Sequence, residues 1–179
     1  MAFDVAQLLR AAGGSLVGKV RMQKVVYLLD QLGMDSDSTF HYHYYGPYSA
    51  DVTDALEMAI AFDEVIERQR YRASDGVPYC VFELGDAAEP ANDESMLGQL
   101  DFDQARRAIR TMGEYSSTVL ELAATMHWLV CAEEDKDWFD ELRRRKGPKA
   151  SNARISEATK LLERLGLPPA YTRKKKKKS

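Results

Sequence analysis

The chain has 179 residues, of which 45% are hydrophobic and 30% are charged, with two cysteines and a formal net charge of −3. This length is enough for one ordinary domain with a buried core, and the apolar content excludes a disordered chain. No apolar stretch approaches the roughly 18 residues of a membrane span, and the N-terminus lacks a secretory signal pattern. From these two observations we expect no contact with a membrane. Cys80 and Cys131 lie far apart without a C-x-x-C spacing, so we expect a cytoplasmic protein with no disulfide.

The positive charge is concentrated at the C-terminus. Of the 25 basic residues, six lie at positions 173–178, which leaves 19 against 28 acidic residues and a charge of −9 for the rest of the chain. An acidic body repels phosphate backbones, so the composition favours protein partners over nucleic acid. Three interpretations of the basic end stay open: a tether to nucleic acid, a contact for an acidic protein, or a solvated end. Its candidate partner-binding residues are Lys174, Lys175, Lys176, Lys177 and Lys178.

The first half of the chain combines helical patterns with strand patterns. Apolar residues recur every three or four positions in three segments, which is typical of amphipathic helices. An aromatic run at 40–45 indicates a strand that Gly46-Pro47 breaks, and Ser49 is the expected N-cap of the third helix. Two β-branched arms on either side of Ser74-Asp75-Gly76 indicate a hairpin. The predicted helices are 3–12, 18–32 and 50–62, and the predicted hairpin arms are 65–72 and 77–84.

The order helix, helix, helix, hairpin matches a winged-helix module, which we expect in residues 1–85. A connector with Pro90 and little periodicity follows at 86–100, and further helices are expected in 101–168. The basic end at 169–179 has nothing to bury and is expected to be disordered. The predicted fold class is mainly α with a small β-hairpin (α+β), in which an N-terminal winged-helix-like module precedes a helical C-terminal part. The C-terminal helices are predicted at 102–112, 117–132, 137–144 and 152–165.

Motifs that carry chemistry are scarce. His41 and His43 would point both imidazoles to one face of a strand, as in some zinc sites, but His127 lies on a distant helix. We interpret these histidines as structural, and Cys80 and Cys131 as small core residues. The sequence has no G-x-S-x-G, P-loop, G-x-G-x-x-G or H-E-x-x-H motif. It therefore predicts no metal site, no cofactor and no enzymatic activity.

The segment 44–49 is the strongest candidate binding feature. It places three tyrosines around a Gly-Pro pair, directly before a capped helix. Tyrosine is enriched at binding hot spots because it contributes a large contact area and a polar tip at low entropic cost. The alternative is that the rings pack on the second helix and hold the turn without any partner. The candidate partner-binding residues of this segment are Tyr44, Tyr45, Gly46, Pro47, Tyr48 and Ser49.

Two motifs in the first half resemble a known family. Residues 19–29, KVRMQKVVYLL, are similar to the K-x-x-L-Q-K-x-x-Y-x-x helix of YwgA-like and Panacea-domain proteins, with Met22 in place of the usual leucine. Residues 40–49, FHYHYYGPYS, resemble the YGPYS turn and helix start of the same proteins. The resemblance covers about the first 85 residues, and the part after Asp101 matches no family.

This resemblance implies an antitoxin. Panacea-type domains neutralise diverse bacterial toxins, and the SocA-like branch is similar to proteolytic adaptors that hold a toxin and present it to the ClpXP protease. The expected partners are therefore a cognate toxin and ClpX or ClpXP. The alternative is a winged-helix DNA-binding transcriptional regulator. In such a regulator the third helix would contact DNA. Here that helix carries acidic residues such as Asp54 and Glu57, and it has no Arg, Lys, Asn or Gln that could bond to base edges or phosphates, which argues against this alternative.

Overall fold

The computed structural model describes residues 3–90 and 95–169. In these ranges the chain forms seven α-helices, a short 3-10 helix (Gly147–Lys149) and seven strands, so the predicted α+β class is confirmed. The helices are α1 (Val5–Ala11), α2 (Lys19–Gln31), α3 (Ala50–Ala61), α4 (Phe102–Gly113), α5 (Ser117–Cys131), α6 (Trp138–Lys146) and α7 (Asn152–Leu165). The strands are β1 (Ser15–Val17), β2 (His41–His43), β3 (Gly46–Tyr48), β4 (Val65–Tyr71), β5 (Pro78–Leu84), β6 (Met96–Leu97) and β7 (Leu100–Asp101).

Within the described residues, the strands form three small antiparallel sheets. In the largest, β5 lies between β1 and β4 and pairs with both. The predicted hairpin over β4 and β5 is confirmed, with a register that runs from Val65 opposite Leu84 to Tyr71 opposite Pro78. The other two sheets are the β2–β3 and β6–β7 ribbons.

Helices α2 and α5 lie at the centre of the fold. Residues 22–29 of α2 and 119–127 of α5 are buried without interruption, which is typical of helices surrounded by other elements. Helix α5 packs against α2, α6 and α7 and also contacts β3. Leu8 of α1, Phe82 of β5 and Leu161 of α7 belong to the same cluster of buried apolar residues. The N-terminal elements and the C-terminal helices therefore share one core.

The ends of several helices follow from local sequence. Side chains at the starts of α1, α4, α5 and α7 accept a hydrogen bond from the backbone amide three residues further on. The capping residues are Asp4, Asp101, Ser116 and Ser151. Such caps satisfy first-turn amides that have no partner inside the helix. None of the helices in the described ranges has the length and apolar character that a membrane crossing requires.

The structure differs from the sequence prediction in four places. The aromatic run is not a single strand broken by Gly46-Pro47: the chain turns at Tyr44 and Tyr45, and β3 pairs back onto β2. Pro47 is tolerated because a strand of a two-stranded ribbon has one side on which no amide is needed. The predicted connector contains β6 and β7, and β1 was not predicted, because two or three residues are too few to show a pattern. Cys131, expected in the core, is exposed at the end of α5.

Candidate functional site

The segment 44–49, which we call the tyrosine turn, forms the tip and the second strand of the β2–β3 hairpin. Tyr44 and Tyr45 stand at the tip and are 77% and 46% exposed. Their rings meet edge to face, with 5.0 Å between the centroids. The residues that follow are buried or half-buried: Gly46, Pro47, Tyr48 and Ser49. The turn therefore presents two aromatic side chains to solvent on a backbone that is largely enclosed.

The glycine after the tip allows the hairpin to approach α5. Gly46 has a φ of +87°, in the left-handed region that costs a non-glycine residue about 1–2 kcal/mol. A Cβ atom at this position would lie 2.6 Å from Oγ1 of Thr125. Both the backbone conformation and the close packing on α5 thus require glycine here.

Gln23 of α2 pairs with the backbone of the turn as a neighbouring strand would. The backbone amide of Ser49 donates to Oε1 of Gln23, and Nε2 of Gln23 donates to the carbonyl of Ser49, both at 2.9 Å. Nε2 also donates to Oγ1 of Thr53 at 3.1 Å, and the same hydroxyl bonds to that of Tyr48 at 2.9 Å. These bonds fix the tyrosine turn and the start of α3 to α2.

Lys24, the next residue of α2, is almost completely buried beneath the turn. Its Nζ donates to the carbonyl oxygen of Pro47 at 2.6 Å. Burial lowers the pKa of Lys24 to about 8; the charge of Glu121 raises this pKa and that of Lys146 lowers it further. Burying an ammonium group costs several kcal/mol unless opposite charge and hydrogen bonds compensate. The fold carries this cost at a position where the lysine bonds directly to the tyrosine turn.

A buried ion pair holds the tip of the hairpin from the other side. Glu121 of α5 and Lys146 of α6 are 2.8 Å apart, and their side chains are 4% and 2% exposed. Nζ of Lys146 also donates to the carbonyl of Tyr44 at 3.1 Å, and burial lowers the pKa of this lysine. Lys149 lies 3.2 Å from the second oxygen of Glu121. We call Lys24, Glu121 and Lys146 the buried charge cluster.

Cationic side chains also pack on the tyrosine rings of the hairpin. Nζ of Lys149 lies 4.8 Å from the ring centroid of Tyr45, and the guanidinium of Arg145 lies 4.4 Å from that of Tyr42. Such contacts contribute about 0.5–1 kcal/mol at exposed sites. They orient two of the rings toward α6 and the segment that follows it.

An apolar groove of about 450 Å³ lies beside the tyrosine turn, between α2 and α3. We call it the α3 groove. Its apolar walls are formed by Val20, Met22, Tyr45, Tyr48, Val52, Leu56 and Ile60. The described lining also includes two carboxylates, Glu57 and Glu67, and the exposed lysine Lys19. The groove therefore combines apolar walls with an acidic border.

The structure separates the predicted binding residues into two groups. Tyr44 and Tyr45 are accessible, and Tyr48 is accessible in part through the α3 groove. The buried remainder of the segment holds the turn in place, as the alternative interpretation expected for the whole segment. The basic end, Lys174 to Lys178, lies outside the described residues. Whether any of these residues binds a partner stays a prediction.

The buried charge cluster was missed from the sequence. Glu121 is the only Asp, Glu, Lys or Arg in the sequence of α5, and this isolated charge was the available signal, because a buried carboxylate needs a partner. Its partner Lys146 lies 25 positions further on, at the end of a basic run whose other members are more exposed. No local pattern distinguishes Lys146 from its neighbours.

The three histidines are not brought together. His41 and His43 are exposed on β2, whereas His127 is buried on α5 and its Nδ1 bonds to the hydroxyl of Tyr27 at 2.8 Å. Burial lowers the pKa of His127 to about 4, so this imidazole is neutral at physiological pH. In the part of the chain that the structure describes, no group of three His, Cys, Asp or Glu side chains could hold a metal ion.

The chain is similar to two curated proteins with different names. It is 24% identical to the uncharacterized protein YwgA of Bacillus subtilis (strain 168) over 159 residues, which cover 85% of this chain and 89% of that protein. It is also 27% identical over 135 residues to a DNA ADP-ribosyl glycohydrolase of Thermus aquaticus, covering 73% of this chain but only 35% of that protein. No protein-family model matches the chain. The first similarity supports the YwgA-like part of the predicted resemblance.

The Thermus relative contradicts the prediction that this protein has no enzymatic activity. The name of that relative describes an enzyme, and the aligned region covers most of this chain. The prediction rested on missing catalytic motifs, which is insufficient ground because active sites are recognised by geometry and chemical roles. We therefore withdraw it, and enzymatic activity becomes a property to be measured.

Proposed function

We propose that this protein is the antitoxin of a bacterial toxin–antitoxin pair and that it binds its toxin through Tyr44, Tyr45 and the α3 groove. The observation that carries the proposal is the exposed tyrosine pair on a turn held by buried charges. Similarity to YwgA over 85% of the chain supports a YwgA-like assignment. The antitoxin role rests on the resemblance of residues 19–29 and 40–49 to motifs of Panacea-type proteins.

The rigidity of the turn supports a binding role for its tip. An exposed side chain loses conformational entropy when it is immobilised at an interface, and a backbone that is already fixed avoids part of that cost. The bonds from Lys24 to Pro47 and from Lys146 to Tyr44 fix the backbone on both sides of the tip. The two rings are therefore presented in a conformation that needs little further ordering on binding.

The α3 groove indicates what kind of toxin surface would fit. Apolar walls such as Val52 and Leu56 match an apolar side chain, and the acidic border of Glu57 and Glu67 matches a basic neighbour. We therefore expect the toxin to insert an apolar residue, flanked by lysine or arginine, between Tyr45 and α3. Hot-spot residues are enriched in tyrosine and cluster in well-packed pockets that exclude water.

The N-terminal elements support a winged-helix interpretation of this module. Helices α1, α2 and α3 precede the β4–β5 hairpin, and the sheet order is β1-β5-β4. In such a module the third helix would enter the major groove of DNA. The exposed side of α3 carries Asp51, Asp54 and Glu57, which would repel the phosphates. The module is therefore better suited to a protein partner than to an operator.

Presentation of the toxin to ClpXP is the further step that the SocA-like resemblance suggests. In that mechanism the toxin would be degraded by purified ClpXP faster when this protein is present than when it is absent. A toxin that stays intact in both reactions would instead indicate neutralisation by sequestration alone.

The central experiment measures binding to the product of the adjacent open reading frame. The full chain is titrated with that purified protein, and the double variant Tyr44→Ala/Tyr45→Ala is expected to bind about 30-fold more weakly, the loss of a hot spot of about 2 kcal/mol. Co-expression should also protect cells from the toxicity of the neighbour, and the double variant should not.

The matched control changes two tyrosines of the other hairpin. Tyr71 and Tyr79 are 65% and 41% exposed on β4 and β5, so Tyr71→Ala/Tyr79→Ala removes a similar area at a different place. This variant should bind as the unchanged protein does. No binding to the neighbour, or equal losses in both double variants, would refute the assignment of the toxin to the tyrosine turn.

A second candidate function is hydrolysis of an ADP-ribosyl group from DNA. The observation that favours it is the 27% identity, over 135 residues, to a protein whose name describes that reaction. The test is incubation of the full chain with an ADP-ribosylated oligonucleotide, with release of ADP-ribose as the readout. Release above the rate without protein would support this activity, and it would leave the binding proposal to be judged on its own experiment.

A further inference from the structure

A cavity of about 760 Å³ lies on the other side of α2 from the tyrosine turn. It is bordered by α1, β1, α2, α4 and the start of α5 and is open to solvent. Its volume is within the range of about 300–1,000 Å³ that is typical of small-molecule sites. We call it the arginine cavity, because its lining includes Arg21, Arg106 and Arg110.

Two of these arginines stand one helical turn apart on the same face of α4. Like charges at positions i and i+4 destabilise a helix by about 0.2–0.5 kcal/mol. Arg106 approaches Asp103 only at 3.9 Å, in an exposed position where an ion pair contributes little. Arg110 has no hydrogen-bond or ion-pair partner among the described residues. Among the described residues, the two guanidinium groups therefore share one weak ion pair, that of Arg106 with Asp103.

The third arginine is half-buried and fixed by the backbone. Arg21 donates to the carbonyl oxygens of Met112 and Tyr115 at 3.3 and 2.7 Å, at the C-terminal end of α4. In the described ranges it has no carboxylate partner. These two bonds use part of its five N–H donors and hold the guanidinium in a defined position. A bound anion would supply the opposite charge that is missing at this side chain.

The one carboxylate among the described lining residues is already engaged. Glu114 accepts hydrogen bonds from Arg164 of α7 at 2.6 and 3.2 Å. It therefore does not neutralise Arg110, which lies one turn earlier on α4. Next to it, α5 begins at Ser117, and the first-turn amides of a helix favour an anion.

The floor of the arginine cavity is apolar. Leu16 of β1, Val25 of α2 and Ile109 of α4 form it, and Ser15 and Ser117 also line the cavity. Inorganic phosphate would contact only the charged side and leave this floor empty. An organic group carrying phosphate would use both parts of the cavity.

We propose that the arginine cavity binds an organic phosphate of about nucleotide size, with its phosphates on Arg21, Arg106 and Arg110 and its organic part on the apolar floor. Guanidinium groups bind phosphate through paired N–H donors, which makes arginine the preferred residue for such sites. The ligand is either a free nucleotide or the phosphorylated end of a nucleic acid strand. None of its lining residues belongs to the tyrosine turn, and its test does not depend on the toxin.

The first experiment titrates the full chain with ADP, adenosine and inorganic pyrophosphate in a calorimeter. ADP should bind, pyrophosphate should bind more weakly, and adenosine should give no measurable heat at the same concentrations. ADP should also raise the Tm, since a ligand of the folded state stabilises it. Equal binding of ADP and adenosine, or no binding of ADP at millimolar concentration, would overturn the proposal.

The matched control compares two of the three arginines of α4. Arg110→Gln removes a charge inside the cavity, and Arg107→Gln removes one from the same helix outside its lining. The first should weaken ADP binding about tenfold, the loss of one charge-assisted contact of about 1.4 kcal/mol, and the second by less than about twofold. Both positions are exposed, so both variants should fold with the Tm of the parent protein. Equal losses would show general attraction by the basic residues rather than a site.

A second titration identifies the source of the phosphate. A short DNA strand with a 5′-phosphate is compared with the same strand lacking it. Tighter binding of the phosphorylated strand than of ADP assigns the site to strand ends, and the reverse order assigns it to free nucleotides. If the 5′-phosphate makes no difference and ADP does not bind, the cavity has no phosphate site.

Discussion

The two larger hairpins of this protein differ in what holds them. The β2–β3 hairpin has strands of three residues, too short to be stable by their own ladder, and is fixed by side chains from α2, α5 and α6. The β4–β5 hairpin has strands of seven residues, and its outer half is exposed to solvent. The short hairpin is therefore anchored by polar side chains of the helices. The inner end of the long hairpin joins the apolar core through Val65 and Phe82, and its outer half depends on backbone pairing.

The charges of the two hairpins differ in the same way. Glu83 of β5 pairs with Arg68 at 2.7 Å and lies 3.5 Å from Arg70, all on the surface. Exposed pairs of this kind contribute little to stability, because solvent screens them. Glu121 and Lys146 are enclosed, so that breaking their pair leaves an uncompensated buried charge. An ion pair near 2.8 Å therefore contributes differently on the surface of the long hairpin and in the buried contact between α5 and α6.

The largest effect is expected from breaking the buried charge cluster. Glu121→Gln leaves Lys24 and Lys146 without their counter-charge and should lower the free energy of unfolding by about 4 kcal/mol. Urea denaturation measures this loss. The control, Glu83→Gln in the long hairpin, should leave the midpoint unchanged within error. Similar midpoints for both variants would show that burial does not distinguish the two pairs.

The next effect concerns the glycine that each hairpin places at a turn. Gly46→Ala should cost about 3 kcal/mol, from left-handed strain and from the Cβ contact with Thr125 at 2.6 Å. At Gly76 an added Cβ would meet nothing among the described residues within 4 Å. Gly76→Ala should therefore cost only the left-handed backbone strain, about 1 kcal/mol. Thermal unfolding of both variants gives the comparison. A larger loss at Gly76 would contradict the packing of the tyrosine turn on α5.

A smaller effect is expected from raising the pH. The pKa of Lys24 is lowered on folding from its ordinary value of 10.5 to about 8, so above pH 8 the unfolded chain holds a proton that the folded chain releases. Lys24 alone should therefore raise the free energy of unfolding by about 2 kcal/mol between pH 7 and pH 9.5. The measurement is the difference between the parent protein and Lys24→Met at each pH. A difference that stays constant would mean that Lys24 keeps an ordinary pKa.

The smallest effect is expected at the exposed tyrosines. Tyr44→Ala and Tyr71→Ala should each change the free energy of unfolding by no more than about 0.5 kcal/mol, because both rings are largely in solvent. Chemical denaturation of the two single variants measures this. A large loss for Tyr44→Ala alone would assign its ring to holding the turn instead of to contact with a partner.

Sequence patterns predicted most of the fold because its helices and its long hairpin are encoded locally. The apolar stripes of α2 and α5 and the turn at Asp75-Gly76 each lie within a few residues. The short strands β1 and β3 were not predictable in this way, since three residues carry no periodicity and their partners are chosen by packing.

The candidate site was predictable in its residues but not in its construction. The three tyrosines at 44–49 indicated the turn in the sequence. The side chains that hold this turn in place are Lys24, Glu121 and Lys146, which come from three separate helices. Contacts between residues about 100 positions apart, such as Lys146 with Tyr44, leave no pattern in a single sequence. The withdrawn prediction about catalysis failed for a related reason, since a missing motif says nothing about geometry.

The bond from Lys146 to the carbonyl of Tyr44 has a consequence for how the protein is made. During synthesis the tip of the hairpin leaves the ribosome about 100 residues before the lysine that anchors it. The hairpin tip with Tyr44 and Tyr45 can therefore form its bond to Lys146 only after α5 and α6 have left the ribosome and packed against it. Chains that end before residue 146 would lack this bond. A partner that recognises the ordered tip would therefore bind the full-length protein in preference to incomplete chains.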